Sequence, residues 1–360
     1  MNKVIAKIVT KTAVKTAFIS LLCVIGGILV GGMALKIAGI SPLAAYSVMW
    51  QGAFGKPNYI AYILIRSTPL ILTGLSVTFA FRTGLFNIGV EGQFIVGALC
   101  AAFLGLHLNV ESFYLPSFLQ IPTVLILSML SAGLYGSLAG WFKAKWQVHE
   151  VISTIMLNWI ALYLSNFFIL FDGFRRPNTE TSEFIQQASS LTFFEEWKTS
   201  DPGLQWLNDH PFWQEFLRPP VNAGLLFALL AAVAVWFILN KTIFGFKLKA
   251  VGYSPEAARF AGMDVSKTMT ASMMISGALA GLAGATHVMG VSKNIAMLAT
   301  HEGYGFDGIA VALIANNSPL AVVGSGFFMG TLKYSGQKIQ PALDAPSEVI
   351  QIMIGTIIFF

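Results

Sequence analysis

Charge is what this sequence has least of. Of 360 residues, only 22 are Lys or Arg and 17 Asp or Glu, 11% together, against roughly 25% in soluble globular chains. That scarcity excludes an ordinary solvated enzyme, and a 55% hydrophobic content excludes a disordered chain. Cysteine is scarce too. Cys23 and Cys100 both lie in apolar runs, so they read as small buried hydrophobes and not as a disulfide framework. Nucleotide and metal motifs are missing: there is no GxxxxGK[ST], no HExxH and no clustered Cys/His site, and the one Gly-Lys pair is Gly55-Lys56-Pro57. No metal or cofactor is expected on this chain. The net charge of +5 is spread over short connections, not gathered into a stripe, and carries no nucleic-acid signal.

What the sequence has instead is long apolar runs. They lie at about 17–35, 60–81, 93–108, 120–142, 151–171, 221–240, 268–290, 306–332 and 345–360. A span needs about 20 such residues, so the expected fold is an all-α polytopic membrane bundle of about 8–10 spans with broken or re-entrant helices. The run 17–35 is too long for a signal peptide and lacks a clear A-x-A site, so it reads as an uncleaved first span. The run 306–332 is interrupted by Asn316-Asn317-Ser318-Pro319 and reads as two half-helices or two short spans. Gly277, Gly281 and Gly284, and likewise Gly326 and Gly330, fall at helical spacing, which suits close helix packing in lipid.

Basic residues alternate by connection. Lys3, Lys7, Lys11, Lys15, Arg82, Lys143, Lys145, Lys241, Lys247, Lys249, Arg259, Lys267, Lys333 and Lys338 fall on one side; Lys56, Arg175, Arg176, Lys198 and Arg218 fall on the other. The positive-inside rule puts the first set, and with it the N-terminus, in the cytoplasm. The largest segment on the opposite side, 172–218, holds eight of the 17 acids, Glu195 and Glu196 among them, with Trp197, Trp206 and Trp213. It reads either as a solvated loop with interfacial anchors or as part of a docking surface. Arg66, His287 and Lys293 read as interfacial or helix-end residues.

Two segments carry functional signals. The first is Gly252-Tyr-Ser-Pro-Glu-Ala-Ala-Arg-Phe-Ala-Gly262, within the expected cytoplasmic loop 241–267. Ser254 is a good N-cap, Pro255 suits a first helical turn, Glu256 complements the helix dipole and Gly262 is a natural stop. The spacing predicts an isolated helix of about two turns. It serves either as a knob for another protein or merely to reverse the chain.

The second is Gly84-Leu-Phe-Asn-Ile-Gly-Val-Glu-Gly-Gln93. Its glycines disfavour a long regular helix, and irregular backbone at membrane depth is tolerated only where protein buries it or water reaches it. Glu91 is an ionisable group at that depth; it serves a pathway or accepts backbone hydrogen bonds at a structural break. Gly89-Val-Glu91-Gly92 is echoed by Gly305-Phe-Asp307-Gly308, and paired Gly-broken segments can mark a transporter's binding region. Asn158, within an apolar run, must find partners, on another helix or on a polar cargo. The pathway candidates are Phe86, Asn87, Glu91, Asn158 and Asp307.

Glu256-Ala257-Ala258-x-x-x-Gly262 resembles the EAA motif of ABC importer permeases, although the later Ile-x-Leu-Pro element of that motif is not evident around 271–274. The stretch 84–93, together with Val148-His-Glu-Val-Ile-Ser-Thr-Ile-Met-Leu-Asn158 and Gly303-Tyr-Gly-Phe-Asp-Gly-Ile-Ala-Val-Ala-Leu313, resembles the nucleoside-type branch of the branched-chain amino acid/ribose permease family. The matches run from about residue 60 to the end.

The resemblance implies one permease domain over 1–360 of a bacterial inner-membrane importer that takes up nucleosides. Its partners would be an ATPase subunit that uses ATP, a second related permease and an external substrate-binding lipoprotein. Ser254, Glu256, Ala257, Ala258, Arg259 and Gly262 would form the helix that couples to the ATPase, and the chain itself would catalyse no bond chemistry. The alternatives are a permease for a sugar or branched-chain amino acid, an ion-coupled secondary transporter working through Glu91 or Asp307, and a non-transporting assembly subunit.

Overall fold

In a computed structural model, residues 25–110, 113–114 and 116–359 are described; the four N-terminal lysines and the start of the first apolar run lie outside them. The apolar runs are helices. In chain order these are α1 (Ile25–Ile37), α2 (Pro42–Phe54), α3 (Pro57–Phe81), α4 (Val90–His107), α5 (Ser117–Trp146) and α6 (Glu150–Ile169). Three short helices follow, α7 (Glu195–Thr199), α8 (Asp201–Asp209) and α9 (Pro211–Leu217), then α10 (Gly224–Lys241), α11 (Ile243–Tyr253), α12 (Pro255–Phe260) and α13 (Val265–His287). The last are α14 (Tyr304–Ile314), α15 (Pro319–Gly336), α16 (Ile339–Leu343) and α17 (Ser347–Phe359). A two-stranded antiparallel hairpin, β1 (Asn109–Val110) with β2 (Phe113–Tyr114), joins α4 to α5.

The expected all-α membrane bundle with broken helices stands. Among the described residues, six helices (α3, α4, α5, α6, α10 and α13) are long and apolar enough to cross a membrane; α1 with α2, bent by 119°, forms either a broken seventh span or a re-entrant loop. The number falls below 8–10 because neither half of 306–332, nor 345–360, forms a helix long and apolar enough to cross among the described residues. The first divides into 11-residue α14 and 18-residue α15, and the second yields a helix of 13 residues.

The chain divides into two compact units, 1–60 with 331–360, and 61–330. In the smaller unit, Gly39 at φ +80° makes the turn between α1 and α2, and Pro42 opens α2. The Tyr46 hydroxyl donates back to the Ile28 carbonyl across that turn. Lys338 lies over the rings of Tyr59 and Tyr334, 4.9 and 5.0 Å from their centroids.

The larger unit is organised around α13. Small residues let neighbours approach it backbone to backbone. A Cβ on Gly277 would fall 2.5 Å from the Ala132 carbonyl oxygen, Gly281 meets Gly97 of α4, and Gly284 meets the Phe94 carbonyl. The pairings give the helix directions. Residues 87 and 94 of the α4 segment face 276 and 284 of α13, so those two run parallel; 76 and 68 of α3 face 276 and 286, so α3 runs against them. One core cluster, Val77, Val90, Ala280 and Ala312, joins α3, α4, α13 and α14. Another joins Ala80, Leu85, Ala139, Leu157 and Met273.

α14 begins in the middle of this unit. Gly308 packs on Thr73 and Val311 on Gly74, well inside α3, while Arg82 at the end of α3 donates to the Asn317 carbonyl just past α14 at 2.7 Å. Eleven residues span about 16 Å, roughly half of a 30 Å hydrocarbon layer. α14 is therefore a half-helix, and the segment from 293 to 303 carries the chain back to mid-bundle to start it.

Candidate functional site

Residues 82–89 are not helical. Gly84 sits at φ +72°, and α4 starts only at Val90, as the glycine content predicts. A break inside a bundle strips backbone groups of partners, and the sequence supplies replacements. Asn87 accepts from the Gly89 N–H at 2.9 Å and donates to Gln93 Oε1 at 2.9 Å and Ser276 Oγ at 2.8 Å. Asn158 on α6 bridges the two sides of the break. It accepts from the Gly92 N–H at 2.8 Å and donates to the Ile88 carbonyl at 3.0 Å.

Glu91 does the same across the bundle. Its carboxylate is 0% exposed and accepts from the Gly303 N–H at 2.7 Å and the Gly305 N–H at 2.6 Å. A helix start leaves N–H groups unpaired and carries partial positive charge. A buried carboxylate there satisfies both the donors and its own need for partners. Thr73 adds a bond to the Tyr304 carbonyl at 3.0 Å. The two Gly–apolar–acid–Gly elements thus meet: Glu91 of the first caps the helix that the second begins, and any Cβ on Gly305 would strike the Glu91 backbone. Asp307 is half-buried in the first turn of that helix.

Of the five pathway candidates, Asn87, Glu91 and Asn158 are brought together as one closed clasp, and all are buried. Phe86 stands beside it, half-buried, its ring 5.1 Å from Phe81. Sequence reasoning missed Ser76 and Ser276, whose hydroxyls meet at 2.9 Å, and Thr83 and Ser272, paired at 2.6 Å. For Ser76, Ser272 and Ser276 the only signal was polarity inside apolar runs; Thr83 lies just past one. Glu150, from the stretch 148–158, pairs with Lys143 at 2.9 Å.

The predicted helix at 254–262 is α12. Ser254 Oγ accepts from the Ala257 N–H at 3.2 Å, Glu256 and Arg259 stand exposed in its turns, and Gly262 ends it at φ +78°. Ala258 is the one buried member, packed with Val251 and Val265 on the base of α13. Phe260 and Tyr253 face outward, 95% and 91% exposed. α12 is anchored through Ala258 and exposes the Phe260 ring, while Tyr253, the last residue of α11, exposes a second ring just before it. Beyond it, Asp264 caps α13 by accepting from the Lys267 N–H at 3.0 Å, and that bond holds its carboxyl below the usual range.

Segment 172–222 is tied to the residues after α13 by backbone bonds: Ser182 to Ile295, Ile185 to Lys293 and Leu191 to Met289, each 2.8 Å. Lys293 also pairs with Glu195. Glu195 is thus an internal tie, while Glu196 remains exposed.

Comparison with known proteins gives consistent results. A family model described as branched-chain amino acid transport system / permease component matches residues 59–360. The chain is similar to the guanosine ABC transporter permease protein NupP of Bacillus subtilis, 39% identical over 342 residues, covering 95% of this chain and 92% of that one. It is similar to the nucleoside ABC transporter permease protein NupB of Lactococcus lactis, 31% identical over 96% of this chain and 90% of the other. A glucose ABC transporter permease protein of Haloferax volcanii is 32% identical over 94% and 85%. No solved structure matches.

Proposed function

We propose that this chain, which belongs to the family of branched-chain amino acid transport system permease components, is the membrane-spanning permease subunit of an ATP-driven nucleoside importer. The observation that carries the cargo is full-length similarity to a permease named for guanosine and to another named for nucleosides. A second permease is part of the proposal, because the relatives include two permease proteins from each of those organisms, NupP with NupQ and NupB with NupC.

The geometry supports a division of labour. α12 is the exposed, capped helix that docks on a separate cytoplasmic ATPase, with Phe260 and Tyr253 seated in that partner and Glu256 and Arg259 fixing register. ATP hydrolysis takes place there, and this chain contributes no bond chemistry. The clasp of Asn87, Glu91 and Asn158 holds α14 closed across the pathway, and Phe86 and Asp307 border the route that opens when the clasp lets go. An external lipoprotein delivers the solute on the side of segment 172–218, and the N-terminus is cytoplasmic. Opening the clasp costs the two charge-assisted bonds of Glu91 and the neutral amide bonds of Asn87 and Asn158, which suits a step driven by ATP and not by cargo binding alone.

The test is uptake in a strain lacking this chain, with labelled guanosine and uridine competed by ribose, glucose and leucine, alongside copurification of the ATPase. Nucleoside competition with ATPase association is the expected result. Competition by glucose instead would move the cargo to a sugar, as for the glucose-named relative. Uptake that persists without any associated ATPase but stops with an uncoupler would replace the mechanism with ion coupling. Cysteines at Arg259 and Phe260 should crosslink to the ATPase; their failure to do so in an active complex would remove α12 from the interface.

A further inference from the structure

Immediately beyond the Glu91 clasp, α4, α6, the end of α13 and the segment 294–302 line a partly open cavity of about 140 Å³. Phe94 and Ala98 line it from α4, one and two turns past Glu91, and Ser165 lines it from α6. His287 and Ser292 line it from the end of α13, with Glu302, next to clasped Gly303, on its edge. Three features set this cavity apart from a packing defect. Its wall belongs to an aromatic cluster: Phe94, His287 and Tyr304 have ring centroids 5.1 to 5.9 Å apart. Its far side is a π-helical turn, Val288–Ser292, a form that recurs at functional sites because it displaces side chains from the regular helical register. And Ser292 Oγ is buried there without a hydrogen-bond partner, which costs free energy unless a bound molecule completes it.

The volume decides what fits. Pockets that engulf a whole drug-sized ligand measure about 300–1,000 Å³, so this one takes a single ring system. Flat rings beside a polar rim suit a planar, hydrogen-bonding heterocycle that can stack and bond at its edge.

We propose that this cavity is a nucleobase subsite, in which the base lies against the Phe94 and His287 rings and a polar atom on its edge bonds Ser292 Oγ. The assignment rests on the nucleoside reading above. It locates the cargo on the far side of the clasp from Arg82, so that the base rests on the Glu91–Gly303 junction until that junction opens. The ribose remains outside the cavity and contributes little, which keeps the contact weak enough for release. His287, which the sequence suggests is merely a helix-end residue, then does both jobs.

The test uses the assembled transporter in membrane vesicles. Cys23 and Cys100 are replaced by Ala, and Ser292→Cys or, across the cavity, Ser165→Cys is added. The rate of modification by a small methanethiosulfonate reagent is then measured with and without guanosine, uridine, glucose or leucine. Nucleosides should slow modification at both positions, and glucose and leucine should not. Phe94→Leu, which keeps apolar bulk but removes the ring, should raise the half-protecting guanosine concentration about fivefold, the loss expected for an aromatic contact worth about 1 kcal/mol. If vesicles of the unaltered transporter take up nucleosides yet these do not protect either cysteine, the subsite is wrong and the importer reading survives. Thiols that never react, or protection indifferent to Phe94→Leu, would also overturn the subsite. Protection by glucose or leucine and not by nucleosides would overturn both.

Discussion

Gly252, next to last in α11, lies directly against Gly84: a Cβ on Gly252 would lie 2.5 Å from the Arg82 carbonyl oxygen and 3.1 Å from the Gly84 nitrogen. Two residues further on, Ser254 caps α12. The exposed helix and the broken segment that carries Asn87 are therefore joined through a glycine contact too close for any side chain. Arg82 extends the contact to the Asn317 carbonyl beyond α14, and Thr83 extends it to Ser272 of α13. These contacts form a continuous route between α12 and both sides of the clasp.

The first prediction is that Gly252→Val disconnects the two. Overpacking of this kind costs about 1–3 kcal/mol and pushes residues 82–84 away from α11. The solute moved per ATP hydrolysed should fall about tenfold or more, with the ATPase still associated. Gly262→Ala is the control. Nothing lies within 4 Å of a Cβ there, but the φ of +78° makes it strained, so it should loosen α12 without touching residue 84. If Gly252→Val transports at the normal ratio, the glycine contact is packing alone.

The second prediction concerns Glu91, whose two oxygens serve two backbone donors. Glu91→Gln offers one acceptor for two N–H groups and turns an amide donor toward one of them. Each unmatched buried donor costs about 1–3 kcal/mol. Gln should therefore give partial uptake and a lowered melting temperature, and Leu, which leaves both donors unmatched, should give less uptake and a lower melting temperature still. Uptake and thermal unfolding of the same preparations check this order. Gln and Leu equally inactive at unchanged stability would mean that Glu91 carries a coupling proton and does not hold α14.

These residues also mark what the sequence could and could not disclose. The break before α4 was legible because glycine at 84, 89 and 92 opposes helix locally. α12 was legible because its cap, its first-turn proline and its terminal glycine all lie within nine residues. The clasp was not legible, because Glu91 and Gly303 are far apart in sequence and the donors are backbone N–H groups, which leave no side-chain signature. The echo between 89–92 and 305–308 was the one hint that the two segments meet. The interruption at 316–319 correctly divided 306–332, yet nothing in it indicated that the first half starts in mid-bundle. Segment 172–218 looked like a free acidic loop because its ties to residues 289–297 are main-chain bonds.

The third prediction follows from one of those ties. Glu195 meets Lys293, which holds a left-handed φ of +59° just where the π-turn ends, and the Lys293 carbonyl accepts from Ile185. The pair is partly exposed, so its contribution to stability should be about 1 kcal/mol or less. Its contribution to transport should be larger, because residues 293–303 lead directly to the Glu91 clasp and a lipoprotein seated on segment 172–218 would pull on that path. Glu195→Lys and Lys293→Glu should each lower lipoprotein-stimulated uptake, and the double exchange should restore much of it, with the rank order of cargo unchanged throughout. Glu196→Gln, at an exposed neighbour outside the tie, should weaken lipoprotein association without any rescue by Lys293→Glu. Uptake and lipoprotein binding measured across these five variants decide the matter. Losses from the two single exchanges that simply add in the double would break the proposed link between the external segment and the clasp, and an altered cargo order would place segment 172–218 in recognition of the solute.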